Sequence, residues 1–379
     1  MALAFFYVGC SAESVKVTEE EEGSRDVLFP VKGFSINSPT AAEVDDFCEF
    51  IEQELAPIGV NLLLLRINYQ FDFKSVENMG GSWGFPLSSV QKVEKVCQKH
   101  QIRLVPHLEL FGHQSAGGPE FAPGALLKNY PEFDESFGKA NSVNYGYRSY
   151  CPLHPDIHTM LFKMIEEMAG AFQSKDFHIG CDEVMTMGVC DRCKEYIRNG
   201  GTNADLFAKE INLLSGFLSS KGYRTWIWGD RLINAADASK FGVSSLTEWE
   251  ASRNSTYQAI DQISKRVLIC DWHYKGAPTT HLYFADKGFD VIPCFYNVET
   301  AAMKMLDNVM ETRTMEKNVD IRNHCLGIMG TNWGGTVTAF MEEFGKVKAG
   351  TNTSKATGAY VFYQVFHKMK ELEKEFEKQ

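Results

Sequence analysis

Apolar residues follow two alternating rhythms along this chain. Short, nearly continuous apolar runs are separated by longer segments in which apolar residues recur every third or fourth position. The runs read as strands: Val31–Ile36, Gly59–Ile67, Ile102–Leu108, a fourth opening at Phe177, Arg224–Trp228, Val267–Trp272, Phe289–Phe295 and Cys325–Met329. The second (GVNLLLLRI) is the clearest, because a strand buried on both faces is apolar at almost every position. Between the runs, single helical faces are marked by Val44, Phe47, Ile51 and Leu55, by Val90, Val93 and Val96, by Ile157, Leu161, Met164, Ile165, Met168 and Phe172, and by Phe207, Ile211, Leu214 and Leu218. Further helical patterns cover His281–Asp286, Ala301–Met310 and a terminal stretch from Val361 to Leu372. Thr40 with Glu43, and Ser88 with Gln91, have the spacing of capping boxes, and Pro155 suits a first helical turn.

Eight strand–helix alternations without a break in composition predict an α/β fold, a single (β/α)8 TIM barrel over residues 27–379. A doubly wound open sheet has a similar rhythm, but the glycine motif that cradles phosphate after its first strand is missing. Phe111 to His154, rich in Gly, Pro, Asn and Tyr, interrupts the pattern as a long loop after strand three, of the kind that is either functional or disordered.

The 379 residues are 44% hydrophobic and 12% aromatic, enough for a large core. A net charge of −11 without any Lys/Arg run argues against nucleic acid or an anionic membrane as partner. Ten cysteines are too sparse for a disulfide scaffold, and no segment is long and apolar enough to span a bilayer. Residues 1–26 read differently from the rest: Leu3 to Gly9 is apolar, Gly9-Cys10-Ser11 follows, and an acidic stretch including Glu19 to Glu22 runs to Asp26. This is the pattern of a signal remnant with a lipoprotein-type tether, which predicts a lipid anchor at Cys10 and a periplasmic or cell-surface location. A frayed terminus with a chance cysteine would instead leave the chain cytoplasmic.

In a barrel the active site gathers the residues that follow each strand. Here these are His107, Glu109 and His113 after strand three, and His178, Asp182 and Glu183 at strand four. Strand five supplies Trp228 and Asp230, and strand six Asp271, Trp272, His273 and Tyr274. Strand seven supplies Tyr296, Asn297 and Glu299, and strand eight Asn332 and Trp333. Neighbouring residues of a strand point to opposite faces, so Asp182 and Glu183 can share one pocket only if the chain leaves the strand at Gly180. Carboxylates among tryptophans and tyrosines suit a sugar: aromatic faces stack on pyranose C–H groups while acids and amides bind hydroxyls. Each Trp taken alone is more often core.

The stretch FHIGCDEV, from Phe177 to Val184, resembles the His-Ile-Gly-Gly-Asp-Glu motif of glycoside hydrolase family 20, the β-N-acetylhexosaminidases, and is most similar to the hexosaminidase D branch. Pro106 to His113 (PHLELFGH) resembles the family's Pro-Glu-Ile-Asp-x-Pro-Gly-His segment, aligning Glu109 with its Asp and His113 with its His. Cys151 to Pro155 (CPLHP) resembles its Pro-x-Asn-Pro segment. The resemblance implies a retaining exo-β-N-acetylhexosaminidase without cofactor, acting on terminal β-linked GlcNAc or GalNAc through an oxazolinium intermediate. Glu183 would move the proton and Asp182 would orient the acetamido group. Trp228, Trp272, Trp333, Tyr296, Asp230, Asn297 and Glu299 would bind the sugar, with His107, Glu109, His113 and His178 in support. Three departures are visible: no Arg lies near the end of strand one, the family's Tyr-x-Asp becomes Tyr296-Asn297-Val298, and its Trp-x-Glu becomes Trp333-Gly334-Gly335.

Two other classes fit parts of the pattern. His107, Glu109, His178 and Asp182 have the chemistry of a metal-dependent hydrolase, although strand one offers no His-x-His. The missing Arg and carboxylate fit a non-catalytic glycan-binding lipoprotein. Cys190 and Cys193 form a C-x-x-C, which alone is half a zinc site, a redox pair or two loop thiols; without a clear second ligand pair the expectation is no metal and a structural role, with a disulfide if the protein is secreted.

Overall fold

The computed structural model describes residues 27–79, 84–114, 126–136, 148–246, 250–352 and 354–378. The eight strands are β1 (Val31–Asn37), β2 (Leu62–Arg66), β3 (Arg103–Leu110), β4 (Asp176–Gly180), β5 (Arg224–Trp228), β6 (Leu268–Trp272), β7 (Val291–Phe295) and β8 (Gly327–Thr331). All pair in parallel with their sequence neighbours, and β1 pairs with β8, so the sheet closes in the order β1 to β8. The barrel is therefore the predicted one, and the open-sheet alternative falls. The lipoprotein-type tether and Cys10 lie outside the described residues.

Alternation along each strand builds two cores. Inward residues Leu62, Leu64, Val105, Trp226, Trp228, Leu268, Cys270, Ile292, Cys294 and Met329 fill the barrel. Outward residues such as Leu63, Leu65, Leu108, Phe177 and Ile179 pack against the helices. The surrounding helices are α1 (Val44–Phe50), α2 (Leu87–Lys99), α3 (Leu126–Asn129), α4 (Ile157–Ala171), α5 (Asp191–Arg198), α6 (Asn203–Ser220) and α7 (Glu250–Asn254). They continue with α8 (Thr280–Asp286), α9 (Glu299–Arg313), α10 (Val319–His324), α11 (Val337–Lys348) and α12 (Gly358–Phe376). The seam between β1 and β8 is sealed by rings: Phe34 lies 4.9 Å from Phe340 of α11 and 4.4 Å from Phe362 of α12.

Both predicted capping boxes need correction. The Glu43 carboxylate accepts from both the Thr40 N–H and the Thr40 hydroxyl at 2.8 Å, but the Glu43 N–H donates to the Thr40 carbonyl and not to its hydroxyl, so Thr40 does not cap and the helix starts at Val44. At α2 the helix starts at Leu87 behind Pro86, with no side-chain cap bond, and Ser88 lies inside the first turn. A full capping box joins Thr202 and Asp205 at α6 instead.

Candidate active site

The chain leaves β4 at Gly180, as the acid pair requires. Gly180 has φ +70°, and a Cβ there would sit 2.2 Å from Glu109 Oε1. Cys181 and Glu183 also have positive φ, 69° and 46°, conformations that cost a non-glycine residue about 1–3 kcal/mol and collect at functional sites. The loop after β3 is equally twisted, with φ 67° at Phe111 and 52° at His113. Between those two, Gly112 passes so close to the other loop that a Cβ would lie 2.1 Å from the Asp182 carbonyl oxygen. The two loops therefore hold one another in place.

This packing brings both carboxylates to one imidazole. His113 Nε2 lies 3.0 Å from Glu183 Oε2 and 3.6 Å from Asp182 Oδ2. Burial opposes charge on His113, but the Asp182 and Glu183 carboxylates outweigh it and hold the imidazolium well above its ordinary pKa. Burial would likewise raise Asp182, yet the His113 charge and contact with Glu109 keep it below the usual aspartate range. Glu109 is pushed the other way, first by burial and then by the Asp182 charge, so it keeps its proton. Its Oε1 accepts the Cys181 N–H at 3.1 Å. Asp182 Oδ1 is buried without a hydrogen-bond partner.

Beneath the acids, His107 and His178 lie with ring centroids 4.7 Å apart. His178 Nδ1 accepts the Gly180 N–H at 3.0 Å, and burial lowers its pKa to about 3, so the ring is neutral with its proton on Nε2. His107 Nδ1 donates to Asn68 Oδ1 at 2.9 Å, and burial lowers it too. Asp230, fully buried, accepts the Glu183 N–H at 2.9 Å and the Trp272 indole N–H at 3.3 Å, tying the acid to an aromatic wall. Burial and the Asp182 charge raise the Asp230 pKa well above the usual range.

The aromatic residues form a connected group. Trp228 is the floor, with no exposed surface, 4.5 Å from His178 and 5.4 Å from Trp333 by ring centroids, and its buried indole N–H has no partner. Trp272 stacks on Tyr274 at 5.1 Å, and Tyr274 meets Tyr296 edge-on at 5.6 Å. The Trp333 indole donates to the Tyr274 hydroxyl at 2.5 Å. Asn297 follows Tyr296, half-buried, and Glu299 opens α9, where it accepts from the Tyr360 hydroxyl of α12 at 3.4 Å.

Two residues gathered by the sequence reading do not belong here. Asp271 and His273 flank the inward-leaning Trp272 and so face the helix layer, where both bond to Thr280 of α8. One residue was missed. Arg66, at the end of β2, reaches across its register partner Asn37 and donates to Asn37 Oδ1, to Ser35 Oγ and to the Asn332 carbonyl. Its guanidinium lies 4.0 Å over the Trp333 ring, and burial lowers its pKa to about 10. A single arginine at the end of an otherwise apolar run was the signal for it.

The proposed disulfide is also corrected: Cys190 and Cys193 are free thiols. They lie beside Cys151 and Glu135, and those four side chains bring ligand atoms within 4.8 Å of one another. His113, Asp182 and Glu183 do the same. The set His107, Glu109, His178 and Asp182 does not converge in this way among the described residues.

A parallel barrel with an acid pair, a charged histidine and an aromatic pocket at the carboxyl ends of its strands defines a glycoside hydrolase of the TIM-barrel class. Residues 70–343 match the model of the glycosyl hydrolase family 20 catalytic domain, and the chain belongs to that family. It is 23% identical over 202 residues to lacto-N-biosidase of Bifidobacterium bifidum, covering 51% of this chain and 17% of that protein. In fold it is similar to Flavobacterium johnsoniae chitobiase (TM-score 0.60, 14% identity, 93% of this chain and 52% of that one). It is similar also to an exo β-N-acetylglucosaminidase of Vibrio harveyi in complex with N-acetylglucosamine (TM-score 0.60, 14% identity, 92% and 58%) and to a β-N-acetylhexosaminidase of Bacteroides fragilis (TM-score 0.58, 14% identity, 93% and 72%). The chain thus spans less than a fifth of the curated relative and little more than half of the first two solved structures.

Proposed function

We propose that this protein is a retaining exo-β-N-acetylhexosaminidase that removes terminal β-linked GlcNAc or GalNAc with help from the substrate's own acetamido group. The observation that carries the reading is the geometry at His113: two adjacent acids meet one imidazole ring, and one of them keeps a buried oxygen, Oδ1 of Asp182, without a partner. An acetamido N–H supplies the missing donor. Held there, the amide oxygen attacks the anomeric carbon, and the ionised Asp182 stabilises the positive oxazolinium that forms. Glu183 gives its proton to the leaving oxygen and then takes one from the attacking water. Protonated Glu109 and charged His113 keep Asp182 ionised throughout. Trp228, Trp272 and Trp333 enclose the acetyl and pyranose faces, and Tyr296 supports the amide oxygen.

Arg66 has a different task from gripping sugar hydroxyls. Four of its five N–H donors are already engaged by β1 and the loop after β8, so it fixes Trp333.

The test is release of p-nitrophenol from β-GlcNAc and β-GalNAc glycosides. Glu183→Gln should lose about 10²–10⁴-fold in kcat/KM while staying folded. Fluorinating the N-acetyl group, which weakens its oxygen as a nucleophile, should slow the wild type steeply. Equal rates for wild type and variant, or indifference to fluorination, would sink the mechanism; glycan binding without turnover would favour the non-catalytic alternative. The proposed anchor is tested separately, by incorporation of a labelled fatty acid that Cys10→Ser abolishes.

A further inference from the structure

The cysteines left unexplained by hydrolysis lie together. Cys190 and Cys193 sit at the start of α5, Cys151 lies in the segment before α4, and Glu135 follows the short turn Pro131–Phe133. Cys151 Sγ is 3.4 Å from Cys190 Sγ and 3.8 Å from Cys193 Sγ, and Cys193 Sγ is 3.4 Å from Glu135 Oε2. Cys151, Cys193 and Glu135 are each no more than 1% exposed. Three sulfurs in mutual contact are one too many for a disulfide, whose atoms lie about 2.05 Å apart. They are spaced for a shared ion: a tetrahedral zinc with Zn–S bonds of about 2.3 Å sets its sulfurs about 3.8 Å apart.

We propose that Cys151, Cys190, Cys193 and Glu135 bind a structural zinc ion that fastens the loops after β3 and β4 to one another. The ligand set is closed, three thiolates and one carboxylate, with no position left for a substrate, as structural zinc sites have. The soft sulfurs select zinc over magnesium or calcium, and the carboxylate disfavours copper(I). The surrounding backbone already serves such a site. Glu135 Oε1 accepts the Val189 and Cys190 N–H groups at 2.7 and 3.1 Å, which orients the carboxylate and leaves Oε2 toward the sulfurs. Cys190 Sγ accepts the Cys193 N–H at 3.4 Å, the arrangement that favours a thiolate at a helix N-terminus. The ion would stand just beyond the acid pair in sequence, so it would anchor the far end of the loop that presents Asp182 and Glu183.

Metal content is read independently of the proposed hydrolysis. The full chain, produced without an affinity tag and handled without chelators, should carry about one zinc per molecule by elemental analysis. After zinc is exchanged for cobalt(II), a thiolate-to-cobalt charge-transfer band and intense visible bands of tetrahedral cobalt should appear. Cys151→Ser and Cys193→Ser should each lose the zinc and the charge-transfer band, whereas Cys48→Ser, on α1, should keep both. A wild-type protein that takes up neither metal overturns the proposal, whether or not the variants fold. So does zinc that survives in Cys193→Ser, or a thiol count two short of the sequence, which would reveal a disulfide.

Discussion

Replacing Gly180 with alanine attacks the active-site framework at its tightest point. The added Cβ meets the Glu109 carboxyl at 2.2–2.5 Å, and the backbone φ of +70° is one that only glycine adopts freely. The left-handed conformation costs an alanine about 1–2 kcal/mol. Overpacking a closed interior adds about 1–3 kcal/mol, so the variant should be destabilised by about 2–5 kcal/mol. If the Glu109 carboxyl retreats instead, the Cys181 N–H keeps only the Leu110 carbonyl as acceptor, a smaller cost of about 0.5–1.5 kcal/mol. A double-mutant cycle separates the two parts. In a Glu109→Ala background the clash has no partner, and Gly180→Ala should cost only the conformational 1–2 kcal/mol, roughly. In a Glu109→Gln background the side-chain volume remains, and the cost should stay high. Urea unfolding followed by tryptophan fluorescence gives all four corners, and kcat/KM on a p-nitrophenyl glycoside should fall with the single variant. A cost that is the same in the wild-type and Glu109→Ala backgrounds would refute the interlocked-loop account.

Three further outcomes are expected. His113 gains two carboxylates on folding and its pKa rises, so its contribution to stability is complete below about pH 6.5 and fades as pH climbs through the folded value; His113→Asn should therefore cost most in acid, and denaturation at a series of pH values checks the trend. Arg66→Met should leave Ser35, Asn37 and the Asn332 carbonyl short of donors, lowering stability by about 2–4 kcal/mol and raising KM more than it lowers kcat, since Trp333 loses its clamp; an unchanged KM would contradict that role. Phe34→Ala opens a cavity at the β1–β8 seam and should cost about 3–5 kcal/mol in the same unfolding assay.

The barrel was legible because all eight strands are buried on both faces, which writes a continuous apolar run into the sequence. Helices with a wide apolar stripe, such as α4 and α6, were equally plain. Helix α5 was not, because Cys193 is its one fully buried residue and no periodicity could show. The acid pair could be read from Gly180 and the two carboxylates after it. Alternation alone would also have excluded Asp271 and His273 once Trp272 was placed inward. Arg66 needed more than alternation: it ends β2, and only the pairing of β2 with β1 sets it beside Asn37 and over Trp333. The fourfold cluster lay further still out of reach. Cys151 and Glu135 stand 39 and 55 residues before Cys190, and only the packed loops bring them to it.

The aromatic seam also sets an order of events during synthesis. Phe34 lies on β1, the barrel strand that leaves the ribosome first, while Phe340 and Phe362 follow some three hundred residues later. Until they arrive, β1 has one paired edge and one open edge, and its apolar outer face has no cover. Such an edge invites pairing with another chain. Closure of the barrel is therefore a late, long-range step, of the slow kind that high sequence separation imposes. A nascent chain of this protein would spend most of its translation as an unclosed sheet, the state in which a chaperone would have most to hold.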